Sequence, residues 1–342
     1  MKAVILAGAS LLTLAATNAG AATPPDRPMF KVQPGMRPNV HKPTALPTWQ
    51  FTYTYSGKNY SDQFVGTNPT GGASTTVPVY IIPLKLVKGK KVNADPLTVL
   101  SNGRTVVQNT IDSPIFDSTT KYTQGGTNVG TTQYEDAVAR AGLWSTVSGE
   151  TGYHVLLGTP TVEPEQTLKV GSNGKIATDF GVQVINADIN WFDGKIEPML
   201  TKFKIPANAL PIFITTQTYL TSGGCCIGGY HSYTGTQAYS MFTYIQKAGA
   251  FSQDVSALSH EVAEWINDPE TNNSSPCGIY ENGDPLETTA NYGDFPYAVN
   301  SFTYHLQDIA LPSYFGAPKA NSVNGQYTFQ NYAFTRVCEN GS

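Results

Sequence analysis

Residues 254–269 read DVSALSHEVAEWINDP, and they combine helical spacing with a row of ionisable side chains. Apolar residues recur at the 3.6-residue period and would form one stripe along a helix: Val255, Leu258, Val262, Trp265 and Ile266. Asp254 is suited to cap the start of this helix, and Pro269 disfavours helical geometry at the residue before it. The pattern therefore predicts a helix that packs along one face and ends near Asn267.

The opposite face of this helix carries the ionisable groups. His260 and Glu264 lie four residues apart, with Glu261 beside them. Residues 248–318 contain no Lys or Arg, but they hold ten of the chain's 25 acidic residues. A solvated helix face usually mixes both signs of charge, whereas clustered carboxylates take up protons or bind a cation. We therefore expect a divalent cation at this face; an acidic, solvated surface is the alternative.

The sequence His260-Glu261-x-x-Glu264 resembles the HExxH helix motif of zincin metallopeptidases, with glutamate in place of the second histidine. The resemblance implies that His260 and Glu264 are zinc ligands and that Glu261 is the general base toward a water polarised by the metal. A third ligand must come from downstream, and the candidates are Glu281, Asp284 and His305. One histidine with two carboxylates is a harder donor set than two histidines, so Mn²⁺ or Ca²⁺ also becomes a candidate.

A wider resemblance covers most of the chain beyond its N-terminal segment. Five segments are similar to a family of secreted bacterial and fungal proteins, mostly of unknown function: TQYEDA (132–137), GCCIGGYHS (224–232), LSHEVAEWINDP (258–269), ENGDPLE (281–287) and YHLQD (304–308). This resemblance implies that the five segments belong to one site or one structural core.

The N-terminus has the features of a secretory signal. A short positive region precedes an apolar core and a small-residue cleavage site, so residues 1–21 are predicted to be a signal peptide. Residues 22–49 are rich in proline and form a predicted linker or pro-segment, in which His41 is solvated. Residues 50–342 are predicted to form one domain. No later stretch reaches the roughly 18 apolar residues that a membrane span requires.

Four cysteines are predicted to form two disulfides in an oxidising compartment, and three connectivities are open. We expect Cys225 and Cys226 to pair with Cys277 and Cys338, because a bond between neighbours strains the peptide.

The remaining pattern indicates an α+β, β-rich single domain around a central zincin-like helix. Alternation predicts strands near residues 51–55, 153–157, 182–189, 210–220 and 238–245, and a hairpin at 323–338. Prolines within 77–87 indicate an edge strand or a strand broken at a bulge. Residues 133–147 are predicted to form a helix with a surface pair of Asp136 and Arg140, and 222–232 a glycine-rich loop at the rim of a cleft. His154 is predicted to be a packed, hydrogen-bonded residue.

These features favour a secreted or periplasmic metal-dependent hydrolase, most similar to a zincin peptidase that acts on a peptide or protein. Its cofactor would be zinc or another divalent cation such as Ca²⁺ or Mn²⁺. The net charge of −4 and the lack of a basic, aromatic run argue against a nucleic-acid partner, and no membrane partner is expected.

One alternative is a non-enzymatic binding or surface protein with a structural cation site or a degenerate active site. Another is a glycosidase, which needs two carboxylates about 5–10 Å apart across a groove.

Overall fold

The computed structural model describes residues 45–89 and 91–339. The predicted signal peptide, His41 and residues 22–44 of the predicted linker lie outside these residues. The first strand begins at Thr48, two residues before the predicted domain boundary, and Leu46 just before it is already buried. None of the helices in the described part of the chain combines the length and apolarity that crossing a membrane requires.

Strands account for 37% of the structure and helices for 21%, which confirms a β-rich, α+β single domain. The strands are β1 (Thr48–Tyr55), β2 (Lys58–Val65), β3 (Ser74–Val77), β4 (Val79–Val87), β5 (Lys121–Gln124), β6 (Thr127–Thr131), β7 (His154–Leu157), β8 (Thr161–Val162), β9 (Gln166–Lys169), β10 (Gly174–Asp179), β11 (Val182–Asp188), β12 (Leu210–Thr216), β13 (Thr218–Thr221), β14 (Cys225–Ile227), β15 (Gly229–Tyr233), β16 (Ala238–Tyr244), β17 (Ser274–Ser275), β18 (Gly278–Ile279), β19 (Asp294–Val299) and β20 (Phe302–Gln307). The helices are α1 (Val106–Ile111), α2 (Tyr134–Gly142), α3 (Trp144–Val147), α4 (Ile189–Lys202) and α5 (Ser256–Asn267).

The largest sheet has the order β15-β16-β12-β4-β8, and β9 pairs with a later part of β4. β12 is parallel to both of its neighbours, and its residues are buried on both faces, as is usual for a central parallel strand. Its alternating side chains enter two separate cores. Ile212 and Ile214 join α5 residues in one core, whereas Phe213 packs with Phe192 and Ile196 of α4 in the other. The sheet therefore separates α5 from α4.

Helix α5 is where the sequence predicted it, and it ends at Asn267 as expected. Its apolar face joins the larger core, and the helix contacts β2, β15, β16, β20 and α2. Asp254 does not cap it: the Asp254 carboxylate accepts hydrogen bonds from the Val255 and His305 backbone N–H groups instead. All twelve residues of α5 are buried. The alternative of a water-facing polar side is therefore wrong.

The proline-containing run at 77–87 is not an edge strand. It divides at Pro78 into β3 and β4, and β4 is paired on both sides. On one side, β4 pairs with β8 through Tyr80 and Ile81 and with β9 only from Leu84 onward. Pro83 lies in the gap between these two partners, so its missing N–H group breaks no ladder on that side.

The predicted surface pair of Asp136 and Arg140 is also wrong, because β6 and β7 cover that face of α2. Both residues are buried. The Arg140 guanidinium donates to the backbone carbonyls of Val129 and Tyr153, and Asp136 pairs with His154. The predicted helix at 133–147 is interrupted at Leu143, between α2 and α3.

Three further expectations differ from the structure. The predicted glycine-rich loop contains two strands, because β14 pairs with β13 and β15 pairs with β16. The predicted hairpin at 323–338 is absent from residues 323–339, which hold a short 3₁₀ turn at Val323–Gly325 and no strand. The disulfides join Cys277 to Cys338 and Cys225 to Cys226. Folding brings the Cα atoms of Cys277 and Cys338 to 5.2 Å, the usual disulfide range, which leaves the neighbours to pair with each other.

Candidate metal site

The polar face of α5 lies against protein rather than solvent. His260, Glu261 and Glu264 are each 0% exposed. β15 packs along α5, and residues 281–284 lie over its histidine. A buried imidazole and two buried carboxylates require partners, because each charge is costly to bury alone.

His260 is oriented by a glutamine on β20. Its Nδ1 lies 2.7 Å from Gln307 Oε1, and the amide nitrogen of Gln307 donates to the backbone carbonyl of Tyr292 at 3.0 Å. The amide orientation therefore makes Oε1 the acceptor, and His260 carries a proton on Nδ1. Its other nitrogen, Nε2, faces Glu264 Oε1 at 2.9 Å and Asp284 Oδ1 at 3.6 Å. This is the arrangement by which a second layer of hydrogen bonds orients a metal-binding histidine.

Gly283 allows the downstream segment to approach this histidine. A Cβ atom at position 283 would lie 2.3 Å from Nδ1 of His260, closer than any side chain permits. The Gly283 and Asp284 backbone N–H groups donate to Glu264 Oε1 at 3.1 and 3.3 Å. The segment therefore holds the Glu264 carboxylate and places Asp284 beside it. The Asp284 side chain is 45% exposed, so the site opens to solvent at this residue.

His231 of β15 approaches the same carboxylates from the other side. Its Nδ1 lies 3.4 Å from Glu261 Oε2 and 3.5 Å from Glu264 Oε2. Its Nε2 lies 3.2 Å from the backbone carbonyl of Asp268. Gly229 makes the approach possible, since a Cβ atom there would lie 2.8 Å from Glu261 Oε1.

Without a cation, this cluster must take up protons. Burial lowers the pKa of His231 and of His260, but hydrogen bonds and the charges of Glu261 and Glu264 outweigh it and raise both pKa values to about 10. Burial and the charge of Glu264 raise the pKa of Glu281 well above its ordinary value. A divalent cation would provide the same positive charge without these protons.

Donor atoms in the cluster lie close enough to share an ion. Three groups each offer one ligand atom per residue within 4.8 Å of one another: His260 with Glu261 and Glu264, His260 with Asp284 and Glu287, and His231 with Glu264 and Glu281. Imidazole nitrogen and carboxylate oxygen suit Zn²⁺ and Mn²⁺. The residues present therefore fit a divalent cation.

The structure brings together five of the six residues named from the sequence and places His305 elsewhere. His305 Nδ1 lies 2.7 Å from Asp254 Oδ2 and 3.0 Å from the Gln253 amide nitrogen. It lies two residues before Gln307 on β20, which displaces it by about 7 Å along the strand toward the start of α5. Asp284 is the downstream residue that faces Nε2 of His260.

Sequence reasoning missed four residues at or near the site: His231, Gln307, Glu287 and Glu135. All four lie in segments that the family resemblance singles out, but nothing in their local pattern indicated that they pack near His260. Glu135 is 3% exposed on α2, and burial raises its pKa well above the ordinary value while the charge of His260 lowers it.

Comparisons with protein-family models, with curated proteins and with solved structures found no match to this chain. The site's geometry is therefore the basis for a functional proposal.

Proposed function

We propose that this protein is a metal-dependent hydrolase of the zincin type, with one divalent cation held by His260, Glu264 and Asp284. The supporting observation is that Glu264 Oε1 and Asp284 Oδ1 each face Nε2 of His260, at 2.9 and 3.6 Å, while Gln307 Oε1 faces Nδ1. Zinc suits one imidazole with two carboxylates, and Mn²⁺ or Ca²⁺ are further candidates for so hard a donor set.

When bound, such a cation polarises a carbonyl oxygen and lowers the pKa of a water. Glu261 is the proposed general base. Its Oε1 has no hydrogen-bond partner among the described residues, so it can accept a proton. Burial raises the pKa of Glu261 to about 7, close to the value that serves a general base at neutral pH.

A peptide or protein substrate would enter past Asp284, whose exposed side chain marks the open side of the site. We also propose secretion, from the predicted signal peptide and from the Cys277–Cys338 disulfide, since such bonds persist in oxidising compartments.

One observation favours a second candidate, a binding or surface protein with a structural cation site. His260, Glu261 and Glu264 are fully buried, as is common for closed structural sites, whereas a catalytic site keeps one position open.

A comparison of Glu261→Gln with Glu264→Gln separates the two candidates. For a hydrolase, Glu261→Gln retains the ion but loses at least about 100-fold in casein hydrolysis, and Glu264→Gln loses both ion and activity. Metal content is measured by elemental mass spectrometry after dialysis against Zn²⁺. His305→Gln, which changes a histidine outside the site, should retain both. A wild-type protein that binds the ion and hydrolyses nothing would support the structural site instead.

A further inference from the structure

We propose that Glu264 bridges two divalent cations, the second one held by His231, Glu264 and Glu281. The inference rests on the first cation proposed above, at His260, and adds a second ion on the other side of the same carboxylate. Neither His231 nor a paired site is implied by the HExxE motif.

His231 presents a ligand nitrogen to this second position. Its Nε2 lies 3.2 Å from the Asp268 carbonyl, which only accepts hydrogen bonds, so Nε2 carries a proton. In the neutral ring, Nδ1 is then an unprotonated nitrogen, and it faces oxygens of Glu261 and Glu264 at 3.4 and 3.5 Å. A lone pair facing two carboxylates is unfavourable, so this position needs either a proton on Nδ1 or a cation between the three groups. The backbone carbonyl on the far nitrogen is a common second-layer partner of a metal-binding histidine.

Glu281 supplies an independent observation. It is 6% exposed, and the group that faces its buried carboxyl is another carboxyl, that of Glu264, rather than an N–H donor of the described residues. One of these oxygens lies within 4.8 Å of the ligand atoms of His231 and Glu264. Two buried carboxylates that face each other need a proton or a cation between them, and residues 248–318 contain no Lys or Arg that could neutralise them. A cation beside His231 would supply this positive charge.

Glu264 is placed to join the two positions. Its Oε1 faces Nε2 of His260 at 2.9 Å, and its Oε2 faces Nδ1 of His231 at 3.5 Å. Each oxygen therefore belongs to a different histidine. A carboxylate that binds one ion through each oxygen suits the spacing of about 3.5–4 Å that is typical of two-metal hydrolase sites.

Titration of the wild-type chain with Mn²⁺ tests the proposal without any variant. We expect two ions per chain and an electron paramagnetic resonance spectrum that shows exchange coupling between them. One ion per chain with an uncoupled spectrum would overturn the second position but leave the first cation in place. No bound ion would overturn both proposals.

Variants then assign the second position. His231→Gln and Glu281→Gln should each lower the bound Mn²⁺ from two ions to one and abolish the coupling. The matched control His305→Gln should keep two coupled ions. If the His231 and Glu281 variants both still bind two coupled ions, these residues do not hold the second cation and the proposal is wrong. Circular dichroism of each variant confirms that the comparison is made between folded proteins.

Discussion

Two histidine–carboxylate groups have their buried carboxylates on different helices, and they differ in the balance of donors and acceptors. On α2, Asp136 accepts hydrogen bonds from the Thr132 hydroxyl at 2.6 Å, the Val155 backbone N–H at 2.6 Å and His154 Nδ1 at 2.7 Å. Both oxygens of this carboxylate are occupied by protein donors. The α2 group therefore needs no ligand.

On α5 the acceptors exceed the donors. Among the described residues, His231 Nδ1 comes no closer than 3.5 Å to Glu264 Oε2, and the group that faces the Glu281 carboxyl is the Glu264 carboxyl. Each histidine of the cluster directs one ring nitrogen to a neutral oxygen: His260 to the Gln307 side chain and His231 to the Asp268 backbone carbonyl. Only the other ring nitrogen of each histidine faces the carboxylates. Burial alone therefore does not distinguish a structural ion pair from a candidate cation site. The two groups differ in the number of hydrogen-bond donors that reach each buried carboxylate.

Metal removal should change the α5 group more than any single substitution. At an ion concentration 100-fold above the dissociation constant, binding stabilises the folded state by about 2.7 kcal/mol, which for a domain of this size is a rise of about 4 °C in Tm. Calorimetric melting of the chelated protein with and without added Zn²⁺ measures this shift. Identical Tm values in both samples would contradict a cation site.

Gly283→Ala tests whether close backbone approach positions the α5 group. The new methyl would lie 2.3 Å from His260 Nδ1 and displace the ring from Gln307. We expect metal affinity to fall about 10- to 100-fold, as for other losses of second-layer support. Isothermal titration with Zn²⁺ measures the affinity.

Gly194→Ala is the matched control for that substitution. Gly194 lies exposed within α4, and a Cβ atom there meets nothing within 4 Å. This variant should keep the wild-type affinity and gain about 0.5–1 kcal/mol in stability, since alanine favours a helix over glycine. Equal affinity losses in both variants would argue against a specific contact at His260.

His154→Gln should have the smallest effect, confined to the α2 group and dependent on pH. The hydrogen bond and charge of Asp136 raise the pKa of His154 above its ordinary value. The pair therefore stabilises the fold fully below the unfolded-state pKa of about 6.5. This stabilisation is lost as pH rises through the higher folded-state pKa.

We therefore expect His154→Gln to lower the free energy of unfolding by about 0.5–1 kcal/mol at pH 5.5 and by less at pH 9. Urea unfolding of the chelated protein at the two pH values measures the difference, and Zn²⁺ binding at pH 7.5 should match wild type. An equal loss at both pH values would show that the charge on His154 contributes nothing.

Helix α5 and most strands were predictable because the hydrophobic period is a local property. The strand predicted at 51–55 lies within β1, and that at 238–245 lies almost entirely within β16. The errors concern features that depend on contacts with residues far away in the sequence. Asp136 and Arg140 have the i, i+4 spacing of a surface ion pair, but β6 and β7 cover them. Arg140 instead donates to a backbone carbonyl of β6, and Asp136 pairs with His154 of β7.

Local spacing and composition were sufficient to place His260, Glu261 and Glu264 on one helical face within an acidic stretch without Lys or Arg. They did not distinguish His231 from His305, since a histidine in a strand has the same local pattern in either position. The tertiary structure decides which histidine joins the cluster. It packs His231, 30 positions before Glu261, against α5, and it places Gln307, 47 positions after His260, beside the His260 imidazole. Contacts over such separations depend on how the sheet and α5 pack, and that packing set the number of donors that each buried carboxylate receives.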